Sequence, residues 1–476
     1  MKSSTSLPAR QSGAALLLMM LVVIVGAAAV LVTKLNRNTT QISATAKTGL
    51  ALAQAREALV AYALSFPDRV PGSAVQLPCP DLDDTGTTLD GESHTANCGA
   101  PGVSVLGRLP WKTLGIAAPR DSASECLWYV VSGDHKSAGI GTAPLLNPDT
   151  NGQLTLYQAD SGTLIEGSQP EDRPIALIFA AGQALSGQSR QAISQSDQQC
   201  SSDFSIAAFL DSDPGTGVSN STLIGVPGID SFVRAAGESM AINDRVVSIS
   251  REDLANLVYN RHDHELRMRG LAAAVAACLA NYGNSNPGGA NDLRLPWPAA
   301  VSMPDYRLDA LYDDVAGGVL SGRLADTVDD SNGLTGNTFA RVLSDCDTGA
   351  VPAWNAEMLS LWQNWKDHFF YYVSDSFNPA AAVPSTCVDC VSVNGGAQVA
   401  AVVLYSHRRL DALSQRRDAP PLDVDTRDDI NNYLESVNSG NHPYVAGNVD
   451  LESRAADLSF NDILYCIDTA MGVAAC

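Results

Sequence analysis

Charge is in short supply in this chain, and basic charge most of all. Only 17% of its 476 residues are Asp, Glu, Lys or Arg, below the usual quarter. Thirty basic residues face 52 acidic ones, for a formal charge of -22. A surface of that sign repels phosphate backbones and anionic headgroups, which excludes nucleic acid as a partner of the folded part. Histidines number seven, and apart from His262-Asp263-His264 they stand alone, too dispersed in sequence for a catalytic metal set. No P-loop and no dinucleotide-binding fingerprint occurs. Gly237-Glu238-Ser239-Met240-Ala241 lacks the closing glycine of a nucleophile elbow. The sequence therefore reads as a protein that is not an enzyme. It is not disordered either: 45% hydrophobic residues suffice for real cores, and the length implies two or three folded units.

The N-terminus departs most from this background. Residues 1–13 are short, polar and basic, with Lys2 and Arg10, and residues 14–33 carry no charge. Twenty helical residues rise about 30 Å, the depth of a bilayer core. Beyond them Leu52, Ala55, Leu59, Tyr62 and Phe66 recur at helical spacing, which predicts an amphipathic continuation. Pro67 and Pro71 are expected to stop it. The sequence thus predicts one helix over 14–66, apolar all round in its membrane half (14–33) and one-faced in its amphipathic half. A cleaved secretory signal, with Ala27-Ala28-Ala29 at its end, and a plain single-span anchor are the competing readings.

Arg10-Gln11-Ser12-Gly13-Ala14-Ala15-Leu16-Leu17-Leu18 resembles the class III leader of the type IV prepilin-like family. The resemblance implies cleavage between Gly13 and Ala14 by a prepilin peptidase, N-terminal methylation of Ala14, and assembly with other pilin or pseudopilin subunits. It also implies an inner-membrane anchor with the head in the periplasm, and a location on the pilus or cell surface after assembly. Most members carry a glutamate five residues into the mature chain, where this sequence has Leu18. That departure resembles minor, tip-type subunits, which have no further subunit whose amine needs pairing. Leu77-Pro78-Cys79-Pro80-Asp81, Gly107 to Trp111 and Leu127 to Ser132 resemble the head of a group of large prepilin-like proteins.

An internal repeat organises the remainder. Leu77-Pro78-Cys79-Pro80 recurs as Leu295-Pro296-Trp297-Pro298, and Asn243-Asp244 with the six residues after it as Asn461-Asp462 with its six. Between these lie weaker matches in the same order: Gly107-Arg108 with Gly322-Arg323, Trp128 to Ser132 with Phe370 to Ser374, and Ile175 to Phe179 with Val399 to Leu404. The Ala-rich helix 50–66 matches Leu271 to Tyr282. Shared order predicts a duplicated unit. The expected architecture is α+β: a leader (1–13), a long N-terminal pilin-type helix (14–66), and two tandem helix-plus-antiparallel-sheet head units, 67–262 and 263–476.

Ten cysteines behind an export signal suit disulfides. The repeat lacks counterparts of both Cys79 and Cys98, and two residues lost together behave as a pair, so Cys79–Cys98 is the predicted bridge. It would close a loop of about twenty residues and contribute roughly 3 kcal/mol. Cys387–Cys390 and Cys466–Cys476 are local pairings, and Cys278, among alanines, reads as a buried thiol. No cofactor is implied except calcium: Asp81, Asp83, Asp84 and Gly86, supplemented by Asp90, approach a calcium loop, against the alternative of a solvated acidic loop. Asp423, Asp425, Asp428 and Asp429 form a poorer cluster, and His262-Asp263-His264 reads as a solvated connector. The functional expectation is a structural minor pilin or pseudopilin, at or near the filament tip of a type IV pilus or type II secretion system. The alternative is a membrane-anchored or secreted periplasmic binding protein or hydrolase.

Overall fold

Two sheets built on one plan dominate the molecule. The first contains β1 (Val105–Arg108), β2 (Trp128–Val131), β5 (Pro174–Ala180) and β7 (Arg245–Ser250), in the order β1-β2-β5-β7. The second contains β8 (Ser321–Arg323), β9 (Phe369–Val373), β11 (Ala401–Tyr405), β13 (Ile463–Ile467) and β14 (Val473–Ala475), in the order β8-β9-β11-β13-β14. Every pairing in both is antiparallel. One row across the first sheet reads Gly107, Tyr129, Ile178, Val247. The same row in the second reads Gly322, Tyr371, Val403, Tyr465. The computed structural model describes residues 12–82, 90–94, 98–137, 145–190, 200, 204–237, 241–285, 293–315, 317–328, 341–382, 387 and 389–476.

The shared glycine has a physical cause. In each unit the Leu-Pro-x-Pro segment crosses the first strand and pairs with the residue after the glycine, Asp81 with Arg108 and Ala299 with Arg323. A Cβ on Gly107 would collide with the Asp81 carbonyl, and one on Gly322 with the Ala299 carbonyl. Only glycine lets the two backbones approach this closely. The arginine that follows folds over equivalent rings, Arg108 over Trp128 and Phe209, and Arg323 over Phe370 and Tyr433.

Each sheet carries a helix on one face. Helix α1 (Ser12–Arg69) buries Leu52, Ala55, Leu59 and Ala63 against Tyr129, Val131, Ile178 and Ile249, a stripe with the helical period. Tyr62 and Phe66 lie beside that stripe, where Arg69 stacks on Tyr62. Pro67 sits inside the last turns, and the helix runs on to Arg69. Helix α4 (His264–Ser285) packs Leu271, Val275, Cys278 and Leu279 on the second sheet's core. It is covered on most sides, which its alanines permit, because small side chains let neighbours approach from several directions. Between the units Ser250 caps α3 (Arg251–Tyr259) in a reciprocal pair with Asp253, satisfying two otherwise orphaned amides.

The expected α+β plan is corrected. Among the described residues the chain is mixed α/β, with four sheets instead of two. On the far face of the first sheet lies β4 (Leu164–Glu166), β3 (Leu154–Gln158) and β6 (Asp230–Arg234), with β3 and β6 parallel. A second parallel pair joins β10 (Val391–Val393) and β12 (Val449–Leu451). Period-two patterning marks a strand without fixing its direction, so long connections that return a strand parallel are invisible to it. Helices α3, α4 and α5 (Ala356–Trp365) stand inside the chain, not at its N-terminus. Helix α1 is long and N-terminal, but an apolar membrane-spanning half is not seen in it among the described residues. Among the described residues no helix is long and apolar enough to cross a membrane, and within 14–33 the described side chain is Met20.

Candidate functional site

The segment after β2 leaves the first sheet and brings Asn147, Asp149 and Asn151 against the second. Asp149 is buried. Its Oδ2 accepts from Arg417 Nη1 at 2.9 Å, its Oδ1 pairs with Arg409 Nε at 3.0 Å, and His368 Nε2 stands 3.3 Å from Oδ2. Burial opposes ionisation, but Arg417, His368 and Arg409 together hold the Asp149 carboxyl well below the usual carboxylate range. Arg251, at the start of α3, donates to Asn151 Oδ1 at 2.6 Å and pairs with Glu252. Beside this group Asp367, wholly buried, accepts from Arg427 Nη1 at 2.8 Å and Asn147 Nδ2 at 3.0 Å. The two sheets are therefore joined by buried charge that is paired and hydrogen-bonded.

Next to this seam lies an apolar cleft of about 70 Å³. Its walls include Val75, Ile175, Leu254, Met268 and Trp365, with His135, Arg251 and His264 among them. Those three are at least nine-tenths buried, and among the described residues His135 Nδ1, Arg251 Nε and His264 Nε2 have no hydrogen-bond partner. The cleft thus combines an apolar wall with three open polar atoms, the general form of a small-molecule or water site. His264 also meets Tyr259, Trp365 and His407 ring to ring, at 5.4, 5.6 and 5.7 Å between centroids.

Burial lowers the His135 and His264 pKa values to about 4, and burial with the neighbouring His264 lowers that of His407 to about 3. These imidazoles are neutral when folded, whereas in the unfolded chain each takes up a proton near its ordinary value of about 6.5. Stability is complete above that value and falls as the pH drops from about 6.5 toward the folded values. We expect the denaturant midpoint at pH 4.5 to lie below that at pH 7, and His407→Gln to flatten the difference. A variant with the wild-type slope would remove His407 from this account.

Of the candidate residues read from sequence, Asp423 reaches the seam, where Asn151 and Arg173 both donate to it; the calcium-loop set is not gathered there. Asp81 is buried, and its Oδ2 accepts the Gly91 amide at 2.7 Å, within the stretch that the cysteine pair brackets. Asp90, beside Gly91, is half-buried, and its pKa is raised by burial against the pull of Arg108 and Lys112. Asp83 and Asp84 lie outside the described residues, as does most of the leader. Gly13 and Ala14 occupy the first turn of α1, their side chains undescribed. Among the described residues no group of three or more His, Cys, Asp or Glu is placed to hold a metal ion. Asp423 is engaged by Arg173 at 2.8 Å and Asp425 by the Tyr306 hydroxyl at 3.1 Å.

All ten cysteines are paired. Cys79–Cys98, Cys387–Cys390 and Cys466–Cys476 join as the sequence suggests. Cys278 is corrected: it is not a thiol but bonds Cys346, since α4 lies against the segment holding Cys346 in the same core. Cys126 bonds Cys200. The His262-Asp263-His264 connector is corrected in part, because His262 is exposed while His264 is 8% exposed and sealed by aromatic neighbours. Sequence reasoning missed Asp149, Arg417 and Asp367 altogether, as isolated charged letters carry no sign of burial. The chain matches no family model, no curated protein and no solved structure.

Proposed function

We propose that this chain is a structural subunit of a type IV pilus or type II secretion filament, a minor pilin or pseudopilin at or near the tip. In this reading it is held in the inner membrane by its N-terminal segment, with its heads in the periplasm until assembly. The observation that carries the reading is the order of segments. A basic stretch ending Arg10-Gln11-Ser12-Gly13 precedes twenty uncharged residues that lie within α1, and the first buried side chain of α1 among the described residues is Thr48. Met20, Ile42 and Leu50 on α1 are 60%, 70% and 73% exposed, an apolar surface suited to helices of sibling subunits. Five disulfides suit an oxidising compartment.

The mass of the mature N-terminus tests this. The expected species begins at Ala14 with one added methyl group, and Gly13→Val is expected to block its formation. Cleavage after Ala29, or no cleavage, would instead identify an exported or anchored periplasmic protein. Processing indifferent to Gly13 would defeat the proposal.

A further inference from the structure

Both sheets are closed by the same set of buried polar side chains. In the first, Asp244 leads into β7, and its Oδ2 accepts the Asp211 amide at 2.8 Å and Asn220 Nδ2 at 2.9 Å. Asn220 also grips the backbone of Val233, donating to its carbonyl and accepting from its amide, both at 2.8 Å. Asp211 Oδ2 accepts the Asn243 amide at 2.7 Å, and Asp211 Oδ1 accepts from Gln188 at 2.9 Å. In the second, Asp462 leads into β13, and its Oδ2 accepts the Glu435 amide at 3.1 Å and Asn438 Nδ2 at 2.9 Å. Asn438 grips the backbone of Glu452 in the same two-handed way, at 3.0 and 2.8 Å. Glu435 Oε2 accepts the Asn461 amide at 3.0 Å, and Glu435 Oε1 accepts from Gln415 at 3.1 Å. Even the far side repeats: Gln188 accepts the Leu185 amide and Gln415 that of Leu410.

Among the described residues the same side-chain oxygens are left over in each copy, Oδ1 of the asparagine (Asn243, Asn461) and Oδ1 of the aspartate after it. Among the described residues, Asp244 Oδ1 and Asp462 Oδ1 are buried without a hydrogen-bond partner. All four acids are nearly inaccessible, with Asp211 3%, Asp244 0%, Glu435 1% and Asp462 5% exposed. A bare anionic oxygen in that position would be strongly disfavoured. A proton on it supplies a donor beside the adjoining acid, whose charge bears on it, as two crowded carboxyls commonly arrange.

We propose that each sheet is closed by a two-carboxyl latch sharing one proton, Asp211–Asp244 in the first and Glu435–Asp462 in the second, and that loss of this proton to solvent loosens the closing strand. The groups facing the latches agree with this. At the first, Arg190 is the nearby cation, and its guanidinium is already shared with Glu125 at 3.5 Å. At the second, the neighbours are Gln415, Asn438 and the buried phenol of Tyr372, none of them cationic. Burial, with the charge of Asp211 beside it, holds Asp244 well above the usual carboxylate range, and burial with Glu435 does the same for Asp462. The latch's contribution is complete below the ordinary value of about 4 and is lost as the pH rises through the folded value. This slope is opposite in sign to that of the buried histidines. The same chemistry serves the protein whether or not it joins a filament.

The test uses the full chain in detergent and the double variant Asp244→Asn with Asp462→Asn. An amide keeps the accepting oxygen and puts a permanent donor where the proton sits. From pH 6 to 9 the wild-type unfolding constant is expected to rise by up to tenfold per pH unit for each latch, and the double variant's to stay nearly flat. Equal slopes in the two proteins would overturn the proposal. Should the variant not fold, the infrared spectrum of the wild type decides. A carboxylic-acid carbonyl band is expected to persist at pH 6, about two units above the ordinary Asp value, and its absence would equally overturn the latch.

Discussion

Replacing Arg417 with methionine is expected to destabilise the chain by about 3–5 kcal/mol, the loss associated with removing one partner of a buried ion pair. Arg417 is wholly buried and donates to Asn432 O at 2.7 Å, Asp149 Oδ2 at 2.9 Å, His407 O at 2.9 Å and Ser406 Oγ at 2.9 Å. Methionine fills similar volume and packs on Tyr433, over which the guanidinium now lies at 4.5 Å, but it leaves two carbonyls and part of a carboxylate unanswered. Arg409 then remains as the arginine on Asp149, from the other oxygen, with His368 beside Oδ2. The neighbouring Arg416 provides the contrast. Its side chain is 41% exposed and pairs with Glu171 and Asp418, so Arg416→Met is expected to cost less than about 1 kcal/mol. Denaturant unfolding of the two variants measures the difference. Similar small losses for both would mean that the seam between the sheets is not held by this charge.

Arg417 also shows where sequence reading stops. The paired matches Gly107-Arg108 with Gly322-Arg323 and Asn243-Asp244 with Asn461-Asp462 fall on, or directly before, equivalent strands, because backbone collisions and buried hydrogen bonds admit few substitutes. Gln188-Ser189-Arg190 and Gln415-Arg416-Arg417 were equally available in the sequence. The pattern Gln-x-Arg was visible, but nothing in it says that Gln188 and Gln415 each turn inward to an acid. The acids themselves changed type, Asp211 for Glu435, and their spacing to the following asparagine changed with them, Asn220 against Asn438. The small parallel sheets were illegible for a different reason, since β3 and β6 are separated by a long connection whose route depends on tertiary packing. The amphipathic stripe of α1 was readable at Leu52, Ala55 and Leu59, while Tyr62 and Phe66 drifted off it. A helix advances 3.6 residues per turn, so strict alternation of three and four, which falls short of that, places its last members beside the buried line, while Ala63 stays on it.

Removing the Cys278–Cys346 bridge, by Cys278→Ala with Cys346→Ala, is expected to lower stability by about 4 kcal/mol. The bond spans 68 residues, and the unfolded chain regains the freedom of a loop that long when it is cut. The folded state adds its own reason. Cys278 is 1% exposed on α4, among Val275, Leu279 and the second sheet's core, and Cys346 lies in the same cluster. Alanine at both positions keeps the interior apolar, so the measured loss reports the crosslink more than a new polar group. Cys387–Cys390 spans only 3 residues, and the same relation gives about 1.5 kcal/mol for Cys387→Ala with Cys390→Ala. Urea midpoints of the two double variants at one pH compare the bridges directly. If the short bridge proved the costlier, loop closure would not be what Cys278–Cys346 supplies, and strain or packing around α4 would have to replace it.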